Sequence, residues 1–314
     1  MEFFEIIYSS AYGSLRYTLG ISITIVITVF IMNYLINAGL MKKISEYLNP
    51  FTKKLGINEI LTYSMLVCFF DPTVGYSLLA DGIKDNKVSE KEAIGTALAN
   101  SFPSNASEIL TYYIAVVVPL LGIVGIYYTV IRLGISLFKT LVGLIYLKKV
   151  SKPREDIFKF KKIDRKKNVK TSFEKTFSLV KRIVPVMFIT MFIVMVISEM
   201  GYLDNYNIFM EPFTEIMGIS PSVGILVITN LANFSASLVL ASEFLQNGVL
   251  NGKEVLIGLL FANVISFSTK YARYSLPFNI SIFGAKLGTK IVIISSILAF
   301  LGDLFGILFL LFLL

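Results

Sequence analysis

The stretch Leu66-Val67-Cys68-Phe69-Phe70-Asp71-Pro72-Thr73-Val74-Gly75-Tyr76-Ser77-Leu78-Leu79-Ala80-Asp81 sets a carboxylate and a proline in the middle of an apolar run. The mostly apolar residues from Ile60 to Phe70 cover only about half a bilayer crossing, because a spanning helix needs about 20 residues. Asp71 at such depth costs roughly 2.5 to 3.5 kcal/mol unless it faces protein, water or a bound solute. Pro72 has no N–H for the carbonyl of Cys68, and Gly75 loosens the chain, so backbone groups near the break need other partners. Transporters expose backbone to solute at broken helices of this kind. The same residues also read as a kinked structural helix in which Asp71 caps the next segment, with Pro72 as its first residue.

Outward from that stretch, the 314 residues are 55% hydrophobic, which points to an integral, all-α polytopic membrane protein rather than a soluble domain. The net charge of +8 is concentrated between Lys148 and Lys170. A juxtamembrane basic segment suits the anionic cytoplasmic membrane face, and no nucleic-acid partner is expected. With no histidine and one cysteine, Cys68, internal disulfides, His/Cys metal clusters and imidazole-based catalysis are excluded. The start, Met1-Glu2-Phe3-Phe4-Glu5, lacks a signal-peptide pattern, so the first apolar run is expected to be a retained helix over Thr18 to Met41.

After Gly82 come a charged loop, the short run Ala93 to Ser104, and a second polar break, Asn100-Ser101-Phe102-Pro103-Ser104-Asn105-Ala106-Ser107-Glu108. Apolar runs at about 109–131 and 133–147 close the first half. The expected division is a membrane repeat over 1–147, a basic cytoplasmic linker over 148–175 and a second membrane repeat over 176–314. The repeat is legible at a constant shift of 162. Ile21, Thr28, Phe30, Gly39, Pro50, Phe51 and Gly56 recur as Ile183, Thr190, Phe192, Gly201, Pro212, Phe213 and Gly218.

The same shift sets Asp71 on Asn233, Thr73 on Ser235 and Gly75 on Ser237, and one further residue brings Asn100 onto Asn263. Each half thus carries two polar interruptions in corresponding places, the sequence signature of a transporter-type site. Lys42, Lys43, Lys53 and Lys54 follow the first helix, whereas its counterpart is followed by Glu199, Asp204, Glu211 and Glu215 with no Lys or Arg. With the linker inside, the repeats are expected to be inverted, with three or five crossings each and both termini outside the cell membrane.

The candidate substrate-binding residues are Asp71, Thr73, Asn100, Ser101, Asn233, Ser235, Ser237 and Asn263, whose amides and hydroxyls suit a neutral polar solute. Asp71 is also the candidate site for a coupling Na⁺ or H⁺. Lys270 and Arg273 read either as helix-end anchors or as a lure for an anionic solute. Lys286 and Lys290 read as helix-end residues, with Asp303 pairing with one of them or with a coupling cation. In a chain without tryptophan, Tyr112, Tyr113, Tyr127 and Tyr128 are expected to anchor the membrane interface.

Paired halves with an Asp/Asn-x-Thr/Ser-x-Gly/Ser interruption, followed by an Ala-Asn polar break, resemble the Gate or nucleoside-recognition family of membrane proteins. That family resembles in architecture the membrane part of ferrous-iron transporters, spore maturation proteins A and B and, more distantly, concentrative nucleoside transporters. The resemblance implies two Gate-like repeats around a solute path. Two departures from the iron branch stand out, since the chain has no Gly-x-x-x-x-Gly-Lys-Ser/Thr phosphate loop and a single cysteine.

The reading is therefore a secondary transporter of a small polar, nucleoside-like solute, coupled to an ion gradient. The alternative is a non-transport assembly or sensing factor that binds a partner through the basic linker. An enzyme is not expected, because paired carboxylates at a shared site are missing as well as histidine. No cofactor is implied beyond the coupling ion. The expected partners are the lipid bilayer and the solute, and a homo-oligomer is compatible with such a chain.

Overall fold

The computed structural model describes residues 3–37, 56–69, 72–151, 169–200, 218–265 and 275–313, and among them the chain is helical with no strand. The first half holds α1 (Phe3–Asn37), α2 (Glu59–Cys68), α3 (Pro72–Lys84), α4 (Glu90–Ala99) and α5 (Ser101–Glu108). A π-helical segment (Ile109–Val117), the short α6 (Val118–Leu121) and α7 (Ile123–Val150) complete it. The second half holds α8 (Val169–Glu199), α9 (Ser222–Ala232), α10 (Phe234–Gln246), α11 (Gly252–Ile265) and α12 (Leu276–Leu313). Among the described residues, three helical stretches are long and apolar enough to cross a bilayer: Glu90–Leu121, Ile123–Val150 and Leu276–Phe312. Shorter apolar helices lie at Glu59–Cys68 and Ser222–Leu231.

Two expectations change. The first helix begins well before Thr18, at Phe3. The polar run at 100–108 does not end its helix, because α4, α5, the π-helical segment and α6 follow one another directly. Pro103 cannot donate to the Ala99 carbonyl four residues back, and Thr140 of α7 fills the gap. Its hydroxyl donates to Ala99 O at 3.0 Å and accepts from the Phe102 N–H at 2.9 Å. The chain turns instead at Gly122, whose φ of 58° and ψ of −130° favour glycine.

Backbone features recur at the spacing of 162. The described positive-φ positions fall into three pairs at that shift: Gly56 with Gly218, Asn86 with Gly248, and Gly122 with Gly284. The starts of α4 and α11 correspond as well. Glu92 accepts from the Ser89 N–H at 2.9 Å and from the Ser151 hydroxyl at 2.9 Å, and Ser151 Oγ in turn accepts from the Asn58 N–H. At the matching place Glu254 accepts from the Asn251 N–H at 2.9 Å and directly from the Ser220 N–H at 2.7 Å. One carboxylate per half thus ties the start of one helix to the segment leading into another, satisfying N–H groups that a helix start leaves unpaired.

Packing mixes the halves. One core gathers the π-helical segment and the start of α7 with α9, α10, α11 and the end of α12. The other gathers α2, α3 and α4 with Leu147 of α7 and with Leu287 and Ile291 of α12. Helices α1 and α8 correspond at the shift of 162, and they run antiparallel. The Ser9 hydroxyl reaches the Glu199 carboxylate at 2.7 Å, and one turn on a Cβ built on Gly13 would lie 3.1 Å from Met195 Sδ.

Candidate functional site

The second-half residues come together at the junction of α9 and α10. Asn233 is extended there (φ −157°, ψ 121°), and its side chain accepts from the Ala236 N–H at 3.1 Å, so it caps α10. One turn before it, Asn230 Nδ2 donates to Ser237 Oγ at 2.9 Å, and Ser237 donates to the Phe234 carbonyl at 2.8 Å. Ser235 shares a hydrogen bond of 2.9 Å with the Tyr112 hydroxyl from the first half. Asn263 of α11 donates to the Tyr128 hydroxyl at 3.2 Å.

Asn233 is exposed, whereas Ser235 and Asn263 meet a cluster of aromatic rings. Tyr113 stacks on Tyr128 with centroids 6.0 Å apart, and Phe234 lies 6.1 Å from Tyr112 and 6.4 Å from Tyr128. Of the four tyrosines expected at the membrane interface, Tyr113 and Tyr128 are buried, at 6% and 1% exposure, and Tyr112 is half-buried against the same core. Only Tyr127 is turned outward. The π-helical winding carries Tyr112 and Tyr113, and such segments are common at functional sites.

The first-half residues form a separate set. Asn100 is fully buried and donates to Ser64 Oγ at 2.9 Å, and Ser64 donates to the Gly75 carbonyl at 2.8 Å. The other amide atom, Asn100 Oδ1, is buried without a hydrogen-bond partner, and so is Ser104 Oγ one turn later. Buried acceptors left open cost about 1 to 3 kcal/mol each, which a bound donor or cation would offset. Ser101 is buried beside Asn100, whereas Thr73 is exposed. Gly75 packs tightly, since a Cβ there would collide with Cys68 Sγ and come 2.8 Å from the Ser64 carbonyl. At the equivalent second-half positions stand Asn230 and Ser237, which hydrogen-bond to each other. Asp71, Lys270 and Arg273 lie outside the described residues.

Helix α7 runs between the two sets, from Tyr128 in the second to Thr140 in the first, about 18 Å apart at 1.5 Å per residue. Charge sits along it. Arg132 Nη1 lies 3.0 Å from Asp303 Oδ1 of α12, joining the halves through a largely buried pair. Lys139, at 9% exposure, is within electrostatic reach of both. Asp303 therefore pairs with neither of the lysines expected, and Lys290 meets Glu90 at 3.8 Å near the start of α4. Nothing in the local sequence matched Arg132 to Asp303, although each is an isolated charge within a long apolar helix, a signal in itself.

The profile of the Gate family, described as nucleoside recognition, matches residues 18–125. An uncharacterized protein of Methanocaldococcus jannaschii is 46% identical over 293 residues, covering 93% of this chain and 92% of that protein. Two further uncharacterized proteins of the same organism are 28% and 26% identical, over 86% and 88% of this chain and 89% of each relative. No solved structure matches. With close similarity along nearly its whole length and the Gate profile across the first interruption, the chain belongs to the Gate, or nucleoside recognition, family of membrane proteins.

Proposed function

We propose that the chain is a secondary transporter built from two inverted repeats, which moves a small polar, nucleoside-like solute past the α2–α3 and α9–α10 junctions. The observation that carries this reading is the antiparallel packing of α1 and α8. Two corresponding helices that pack antiparallel are related by an axis across their length, and for membrane-spanning helices that axis lies in the membrane plane, as in inverted-repeat transporters. The charge asymmetry of the segments after α1 and α8 supports the same arrangement, with the linker inside and both termini outside the cell membrane.

The solute would be held by Asn233, Ser235 and Asn263 beneath the Tyr112, Tyr113 and Phe234 rings, surfaces that suit a flat polar ring. Ser237 and Asn230 would hold the junction. In the first half, Asn100, Ser101 and Thr73 would act with Asp71 as the site of the coupling Na⁺ or H⁺. The unpartnered Asn100 Oδ1 is the observation favouring a ligand there.

The test is uptake into proteoliposomes of radiolabelled nucleosides and nucleobases, with and without inward Na⁺ or H⁺ gradients. At least one solute should accumulate only with a gradient, and Asp71→Asn should abolish accumulation while leaving the protein folded. Asn263→Ala should weaken uptake at least tenfold. Absence of uptake from reconstituted, folded protein sinks the transporter reading.

A further inference from the structure

A cavity of about 390 Å³ lies among α1, α8 and α10, lined by no residue of either polar set. It brings together a basic and an acidic side chain from distant parts of the chain, Arg16 and Glu243. Glu243 Oε2 is buried with no hydrogen-bond partner. Among the described residues Arg16 makes no ion pair, so the basic and the acidic side chain share a cavity without bonding to each other. Gly13 and Gly20 line it from α1, two turns apart, with Arg16 between them and Met195 of α8 against Gly13, so that open space lies beside Gly20. Gln246 and Asn247 form a polar rim where the cavity meets the surface.

We propose that this cavity is a second ligand site, for a small soluble zwitterion whose ammonium group meets Glu243 and whose carboxylate meets Arg16. Charge selects the class. A plain amine would satisfy Glu243 but bring a second cation near Arg16, and a plain carboxylate would do the reverse. A guanidinium cannot lose its proton, so the cavity keeps its positive charge until an anion arrives. A molecule with both charges satisfies both walls, and the ammonium supplies the donors that Glu243 Oε2 lacks. Gly20 leaves room for the ligand beside Arg16, and the polar rim adds specificity. The proposal does not depend on the transport reading, because it uses none of the residues at the helix junctions.

The test is thermal unfolding of the purified full chain in detergent with glycine, β-alanine and 4-aminobutyrate, against propylamine and propionate. At least one zwitterion should raise Tm by several degrees through selective binding to the folded protein, and the single-charge analogues should not. Glu243→Gln and Arg16→Gln should each weaken that binding at least tenfold by calorimetry. Gly20→Leu should abolish it without unfolding the protein, since a Cβ there meets nothing within 4 Å. The site is overturned by no response to any zwitterion, by an equal response to propylamine, or by binding that survives Gly20→Leu. Phosphatidylethanolamine carries a similar charge pair, so nanodiscs of it are compared with phosphatidylglycerol nanodiscs. Stabilisation by the lipid alone overturns a soluble ligand.

Discussion

Arg132 and Asp303 stand 171 residues apart, and their pairing is the clearest case of a single residue given its meaning by a distant one. Removing one member of a buried pair strands the other and costs about 3 to 5 kcal/mol, whereas replacing both with apolar residues of similar size is often neutral. Arg132→Met and Asp303→Leu should therefore each destabilise the protein by about that amount, while the double variant loses clearly less than the sum. Denaturant unfolding in detergent reads this, and simple additivity would show that the pair is not coupled. At the junctions, the sequence singled out the residue types well but not their company. Asn233, Ser235 and Asn263 lie among tyrosines, because Tyr112 and Tyr128 find partners for their hydroxyls inside the protein. A buried Tyr with a hydrogen-bonded hydroxyl and one at a membrane interface look alike in sequence, since both have an apolar ring and a satisfied polar tip.

Among elements, each half has a glycine with positive φ at its last long helix, Gly122 before α7 and Gly284 at a kink within α12 (φ 78°, ψ 166°). A Cβ at either position meets nothing within 4 Å, so the penalty for a side chain lies in the backbone alone. Gly122→Ala and Gly284→Ala should each cost about 1 to 3 kcal/mol by thermal or denaturant unfolding. Gly134, helical and equally open, is the control, and Gly134→Ala should be neutral or stabilising by up to about 1 kcal/mol. Equal effects at all three sites would remove the backbone argument. The polar run at 100–108 teaches the converse. Its Asn, Ser and Pro residues read as a break, yet the Thr140 hydroxyl from α7 takes up the backbone groups around Pro103 and the helical path continues. Local propensity stated the cost correctly, and a tertiary contact met it.

Over the whole molecule, the arrangement of ends can be tested with the one native cysteine removed by Cys68→Ala. Helix α8 spans 31 residues, so its two ends are about 46 Å apart, enough to cross a bilayer. With Glu199 beside Ser9 and the linker at the other end of α8, a cysteine at Glu5 should react with a membrane-impermeant maleimide in intact cells. A cysteine at Lys161 should react only after permeabilisation. Both reacting from the same side would remove the inverted arrangement, because α8 would then not cross.

The sequence by itself determined the class of the protein, an all-α membrane chain of the Gate family, because bilayer residence and helix length are written in composition and run length. It also determined the spacing of 162, at which residues and positive-φ positions recur. Only the tertiary structure decided which charges pair, where the helical path continues through polar residues, and that Tyr112, Tyr113 and Tyr128 turn inward. The physical reason is the same in each case. A buried charge, hydroxyl or orphaned carbonyl needs a partner, and Arg132 with Asp303, Thr140 with Ala99 and Tyr112 with Ser235 are partners brought together from distant parts of the chain by packing rather than by local sequence.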